Sequence, residues 1–140
     1  MRDDVSVNDV PVNDAWVEVE WRCGGREVDR AAIRSVVEAQ LLAFARDDAA
    51  AAFSFASPSI QQMFQTPTNF MQVVRQSYQA VYRPRSVIFE DLTQVQNLPT
   101  QPLLVLDPAG TPVRALYLME NRTTGDWRIT GCYLLSLGEG

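Results

Sequence analysis

Helical patterning fills this chain from Asp29 to Tyr82, and strand patterning fills nearly all of it from Ser86 to Leu137. Helices in one block followed by strands in another specify an α+β domain, with the helices stacked on one face of an antiparallel sheet. The strand half breaks at Asn97-Leu98-Pro99, at Asp107-Pro108-Ala109-Gly110 and between Asn121 and Asp126, which leaves about four strands. Every break is too short for a parallel crossover, so neighbouring strands run antiparallel. The 140 residues suffice for a single domain that buries roughly 68% of its unfolded surface without staples.

In the helical half, Ile33, Val36, Val37, Leu41 and Phe44 recur at spacings of three and four, while Arg34, Glu38 and Arg46 point away. Asp29 is the expected N-cap of this first long helix, and Asp48 that of a short alanine-rich second one running through Phe53 and Phe55. Ser57-Pro58 opens a turn of helix with Ile60, Met63 and Phe64. Thr66-Pro67 opens a longer helix with Phe70, Val73, Val74, Tyr78 and Val81, because proline at the first helical position loses no hydrogen bond. Pro84 ends the helical half.

The expected domain spans 29–137, preceded by an arm over 1–28. Residues 1–14 mix acidic residues and asparagines with scattered valines and a central proline, and read as a loose terminal segment. From Ala15 the alternation is strict, Val17, Val19 and Trp21 against Glu18, Glu20 and Arg22, and Gly24-Gly25 follows. That predicts one extra N-terminal strand and a turn.

If the last hairpin sets Glu120 opposite Arg128, then Ala115, Tyr117, Met119, Trp127, Ile129 and Tyr133 share one face. Packing against the Ile33–Phe44 helix is expected there. Leu116, Leu118, Cys132 and Leu134 fall on the other face, which is also apolar and needs its own cover. A second copy of the chain, giving a homodimer through the sheet, is the expected cover. The Val17-Val19-Trp21 strand folded back over the same face is the rival.

Composition excludes several function classes. A net charge of −5 disfavours nucleic acid and anionic membranes as partners. The chain has no histidine, and all 12 cationic residues are arginine, which cannot act as a base. Cys23 and Cys132 cannot complete a zinc tetrahedron alone, so neither a metal nor another cofactor is expected. The two form a disulfide or, more simply, leave Cys132 as a buried free thiol. Met1 is followed by Arg2, Asp3 and Asp4 with no apolar run, so no membrane span or leader is read. The expected location is cytoplasmic as written, or exported if a leader is removed before residue 1.

Four strings, Phe53 to Pro58, Val81 to Ser86, Ala115 to Glu120 and Trp127 to Cys132, together resemble a bacterial family known as domain of unknown function 4864. That family looks like a member of the nuclear transport factor 2-like, or cystatin-like, superfamily, and the resemblance runs from about Asp29 to Leu135. It implies a conical roll: a curved sheet wrapped around a first long helix, an apolar mouth, and frequent dimerisation through the outer sheet face. No catalytic residues are implied.

The pocket or rim candidates are Phe64, Phe70, Tyr78, Tyr82, Arg83, Arg85, Tyr117, Met119 and Trp127. Tyr82-Arg83-Pro84-Arg85 is either a carboxylate-binding rim or a structural corner, the corner being favoured. Glu90, Asp91 and Glu120, with Tyr78, Tyr82 and Tyr117, are the groups for acid–base chemistry if a carboxylate enters the cone. Cys132 has no histidine to activate it. The favoured function is a small non-catalytic binding or assembly module with an apolar cone-shaped pocket, for a small apolar or carboxylate ligand. The alternative is a metal-free isomerase, lyase or hydrolase using a pocket carboxylate and tyrosine.

Overall fold

The computed structural model describes residues 5–12, 15–22, 27–121 and 126–137. Two strands, β1 (Val5–Val12) and β2 (Ala15–Arg22), come first. Five helices follow: α1 (Glu27–Ala45), α2 (Ala49–Ser54), α3 (Pro58–Phe64), α4 (Pro67–Ser77) and α5 (Gln79–Tyr82). Five strands complete the chain: β3 (Ser86–Phe89), β4 (Thr93–Val95), β5 (Leu98–Leu106), β6 (Pro112–Asn121) and β7 (Trp127–Ser136). The α+β order expected from the sequence is the order observed.

The helix ends obey local chemistry. Asp48 accepts from the Ala51 amide at 3.1 Å, and Ser57 and Thr66 cap α3 and α4 immediately before their prolines. Asp29 is not the cap of α1, which begins at Glu27; it lies inside the first turn, where a carboxylate still complements the helix dipole. The helix expected after Thr66 is broken at Tyr78, whose φ of −129° ends α4 before α5 begins.

All pairings in the sheet are antiparallel, in the order β1-β2-β4-β5-β6-β7, with β3 also on β5. The strand half therefore holds five strands rather than about four. β3 and β4 lie on the same side of β5 but one register apart: Phe89 faces Leu103 and Thr93 faces Thr100, so three residues oppose two. Pro102 sits in this bulge and has no amide to donate; its carbonyl accepts from the Glu90 amide at 3.0 Å. Gln101 fills the gap, its side-chain amide donating to the Glu90 and Pro102 carbonyls.

A second bulge decides which face the end of β7 presents. Leu118 faces Gly131 but Met119 faces Ile129, so Thr130 is an extra residue and side-chain parity reverses beyond it. Cys132 and Leu134, expected on the outer face, instead pack against the inner core with Tyr117 and Ala115, and Tyr133 moves to the outer cluster. The inner face otherwise meets the helices as expected: Ile33, Val37 and Phe44 of α1 are buried with Leu103, Tyr117, Met119 and Ile129. Each large side chain fully buried here contributes about 1.5–3 kcal/mol.

On the outer face Leu116 and Leu118 are 1% and 3% exposed within a single chain, together with Val95 and Leu135. The apolar patch that argued for a second copy is thus already covered. β2 pairs with β4, and β1, at the far end of the sheet path, contacts β7. The sheet doubles back so that its end strands meet, which among the described residues leaves the β1–β2 hairpin as the cover. The region expected to be a loose arm over 1–14 supplies one of its strands, β1. Cys23 lies outside the described residues, and with it the disulfide expectation; Cys132 is a free thiol.

Candidate functional site

A cavity of about 250 Å³ lies between the helical layer and the β6–β7 ladder. Gln40 and Phe44 of α1 and Phe70, Val73 and Val74 of α4 form its helical wall. Ile60, Met63 and Phe64 of α3 close one side, and Met63, 68% exposed, stands at the opening. Tyr117, Ile129 and Cys132 form the sheet wall. Tyr78 and Val81 border the cavity where α4 gives way to α5, and Tyr133 reaches it from the outer cluster.

Phe70 organises the wall, with ring centroids of Phe53 and Phe64 each 5.5 Å away and that of Phe44 at 6.3 Å. α3 is held by its N-terminal link. The Ser57 amide donates to the Ile129 carbonyl at 2.8 Å, the Ile129 amide to the Phe55 carbonyl at 2.8 Å, and the Ser57 hydroxyl to Thr130 at 3.0 Å. The extra residue of the β7 bulge is therefore also the docking point of the segment that walls the cavity.

The polar groups in the lining are few. Gln40, buried on the apolar stripe of α1, uses its amide to donate to the Ala52 carbonyl at 3.1 Å. Tyr117 is 1% exposed, and its hydroxyl oxygen is buried with no hydrogen-bond partner. Cys132, directly across the ladder, is close enough to affect the titration of that hydroxyl, but the two do not meet hydrogen-bond geometry. Burial pushes the Cys132 thiol up to about 12 and the Tyr117 phenol well above its ordinary range. Tyr78, half-buried, is raised by the same cause, reinforced by Cys132 and Tyr133 nearby. At neutral pH all three keep their hydrogens, which makes the thiol inert as a nucleophile.

The cavity gathers Phe64, Phe70, Tyr78 and Tyr117 from the sequence candidates, and the other five lie elsewhere. Met119 is wholly buried in the core, and Trp127 lies in a separate open cleft with Phe55 and Arg128. Tyr82 and Arg83 are committed to Asp47: the Tyr82 hydroxyl donates to one carboxylate oxygen and Arg83 pairs with the other at 2.9 Å. Arg83 also donates to the Phe44 carbonyl at 2.6 Å and lies 4.1 Å over the Tyr82 ring. Arg85 is exposed, its guanidinium against Gly110. Tyr82 and Arg83 thus form a structural corner joining the end of α1 to α5, with the Arg83 charge paired to Asp47.

The carboxylates also lie outside. Glu90 is held in a two-point pair by Arg114, at 2.8 and 3.0 Å, and Asp91 is exposed. Glu120 stands opposite Arg128 in the register, while Arg128 donates to the Ser54 carbonyl at 2.7 Å. Among the described residues no Asp or Glu lines the cavity. Sequence reasoning missed Gln40, Ile60, Val73 and the inward Cys132. The signal for Gln40 was available: it is a polar residue three after Val37 and four before Phe44 on the buried stripe.

The family model described as Domain of unknown function (DUF4864) matches residues 26–139. The chain belongs to that family. No curated protein and no solved structure matches it. Among the described residues of this DUF4864 domain, no cluster of Cys, Asp and Glu is placed to hold a metal ion. Among the same residues no helix is long and apolar enough to cross a membrane. What the domain does present is a neutral cavity whose described lining carries the Tyr78, Tyr117 and Tyr133 phenols and the Cys132 thiol.

Proposed function

We propose that this domain is a small non-catalytic binding module that takes one predominantly apolar molecule into the cavity between its helices and the β6–β7 ladder. The conical roll of the nuclear transport factor 2-like superfamily is the architecture proposed for it, since a sheet wrapped over a first long helix leaves such a cavity at its open end. The observation that carries the reading is the lining of the cavity, apolar and aromatic with no charged side chain among the described residues. A cavity of about 150 Å³ takes benzene, so about 250 Å³ corresponds to a ligand of about ten heavy atoms. At roughly 0.5 kcal/mol per atom, binding of about 5 kcal/mol gives a dissociation constant near ~0.2 mM.

The catalytic alternative needs a carboxylate beside a tyrosine, and among the described residues the cavity lining has tyrosines and no carboxylate. A carboxylate ligand in the cavity draws no support either, because Arg83 is already committed to Asp47 and Phe44 and Arg85 is not in the lining. A homodimer through the sheet loses its motive where Leu116 and Leu118 are buried in one chain.

Saturation-transfer NMR with ethylbenzene tests the proposal. Binding is expected to wild type and to be lost in Val73→Trp, which fills the cavity while leaving the Tyr82–Asp47 corner untouched. Equal binding to both proteins would move the site elsewhere.

A further inference from the structure

Among the described residues the Tyr117 hydroxyl is the buried side-chain polar atom that has no hydrogen-bond partner, and Tyr117 lines the cavity. Native proteins rarely leave a buried hydroxyl unpaired, because its lost hydration is not recovered inside the fold. Here the neighbouring polar groups are engaged elsewhere or misaligned. The Gln40 amide serves the Ala52 carbonyl, and the Gln101 amide, on the neighbouring strand opposite Tyr117, serves Glu90 and Pro102. Cys132 faces Tyr117 across the ladder outside hydrogen-bond geometry.

We infer that Tyr117 is the polar anchor of the cavity, donating its phenolic hydrogen to an uncharged oxygen acceptor, so that the ligand class is a small ketone, aldehyde or ester. This rests on the reading of the cavity as a binding site and adds to it the chemistry that selects the occupant. A pure hydrocarbon fills the space but leaves the hydroxyl unpaired. A carboxylate meets no cation in the lining, since Arg75 and Arg83 stand at Asp47, and it loses its hydration without compensation. A neutral carbonyl satisfies the hydroxyl and brings no charge into the cavity. Burial, which keeps the phenol and the neighbouring thiol protonated, keeps the donor available throughout the physiological range.

Three probes of nearly equal size separate these cases: acetophenone, α-methylstyrene, in which a CH₂ group replaces the carbonyl oxygen, and benzoate. Titration calorimetry on the wild-type protein is expected to give acetophenone an advantage of about five- to tenfold over α-methylstyrene, the value of one buried hydrogen bond. Benzoate is expected not to bind. In Tyr117→Phe the advantage should vanish while α-methylstyrene binding is kept or improved, and Cys132→Ala should preserve the wild-type ratio. An infrared measurement needs no variant: the carbonyl stretch of bound acetophenone should fall below its value in hexane. Equal affinity for acetophenone and α-methylstyrene, or benzoate binding as tight as acetophenone, overturns the inference and leaves the apolar cavity standing. Failure of all three probes to bind overturns both.

Discussion

Tyr117 and Cys132 stand directly opposite each other in the β6–β7 ladder, and both line the cavity. Their pairing exists because Thr130 is inserted one turn of the pleat earlier; without that residue the thiol would project from the outer face. One extra backbone position thus sets the chemical character of the cavity wall.

Cys132 is raised by burial from its ordinary value near 9 to about 12, and Tyr117 and Tyr78 are raised as well. In the unfolded chain the thiol ionises first, so its contribution to stability is full below pH ~9 and is lost as pH rises toward ~12. With no lysine in the sequence, no ammonium side chain titrates across this window. Cys132→Ala should move the alkaline unfolding midpoint upward by circular dichroism. Iodoacetamide at pH ~9, read by mass spectrometry on the peptide that carries Cys132, should label the unfolded protein and spare the native one; rapid native labelling of that peptide would place the Cys132 thiol in solvent.

Leu118→Arg buries an unpaired cation among Val95, Leu116 and Leu135. The expected loss is about 3 kcal/mol or more, read from urea denaturation. The loss should be the same at every protein concentration, because the face is closed within one chain. A loss that grows with protein concentration would restore the dimer.

Ser57→Ala removes the cap of α3 and the tie to Thr130 together. The cost should be about 1–2 kcal/mol. Faster hydrogen exchange over Ile60 to Phe64 should accompany it, since α3 has no buried side chain of its own. Exchange unchanged in that segment would mean that packing, not the tie, holds α3.

Asp47 is held below its ordinary 3.8 first by the Tyr82 hydroxyl and then by Arg83 and Arg75. A depressed carboxylate stabilises the fold above its unfolded value and loses that contribution as pH falls through the folded one. Asp47→Asn suits the local backbone, where φ is 56°, yet it abolishes both ion pairs. The variant should lose less stability than wild type on acidification below pH ~4. Superimposable acid profiles would show the corner to be electrostatically idle.

The sequence by itself determined the fold class, the antiparallel order and the starts of α2, α3 and α4. These follow from local chemistry: capping side chains, proline at the first helical turn, and connections too short to cross over. It also carried the inner face as far as Ile129, where simple alternation holds. The tertiary structure alone decided the rest. Parity beyond Ile129 turned on Thr130, a residue whose side chain gives no bulge signal and whose insertion is fixed by docking against Ser57. Leu116 and Leu118 are buried within one chain, which the sequence did not show, because a local pattern cannot say whether an apolar surface is closed within the chain or between chains. The Tyr82-Arg83 string read as a corner in preference to a rim, and what holds that corner was not legible: Asp47, far away in sequence, is brought against it by the end of α1. The unpartnered Tyr117 hydroxyl was beyond the reach of sequence for the same reason: a hydrogen bond left unmade depends on where every neighbouring donor and acceptor has gone.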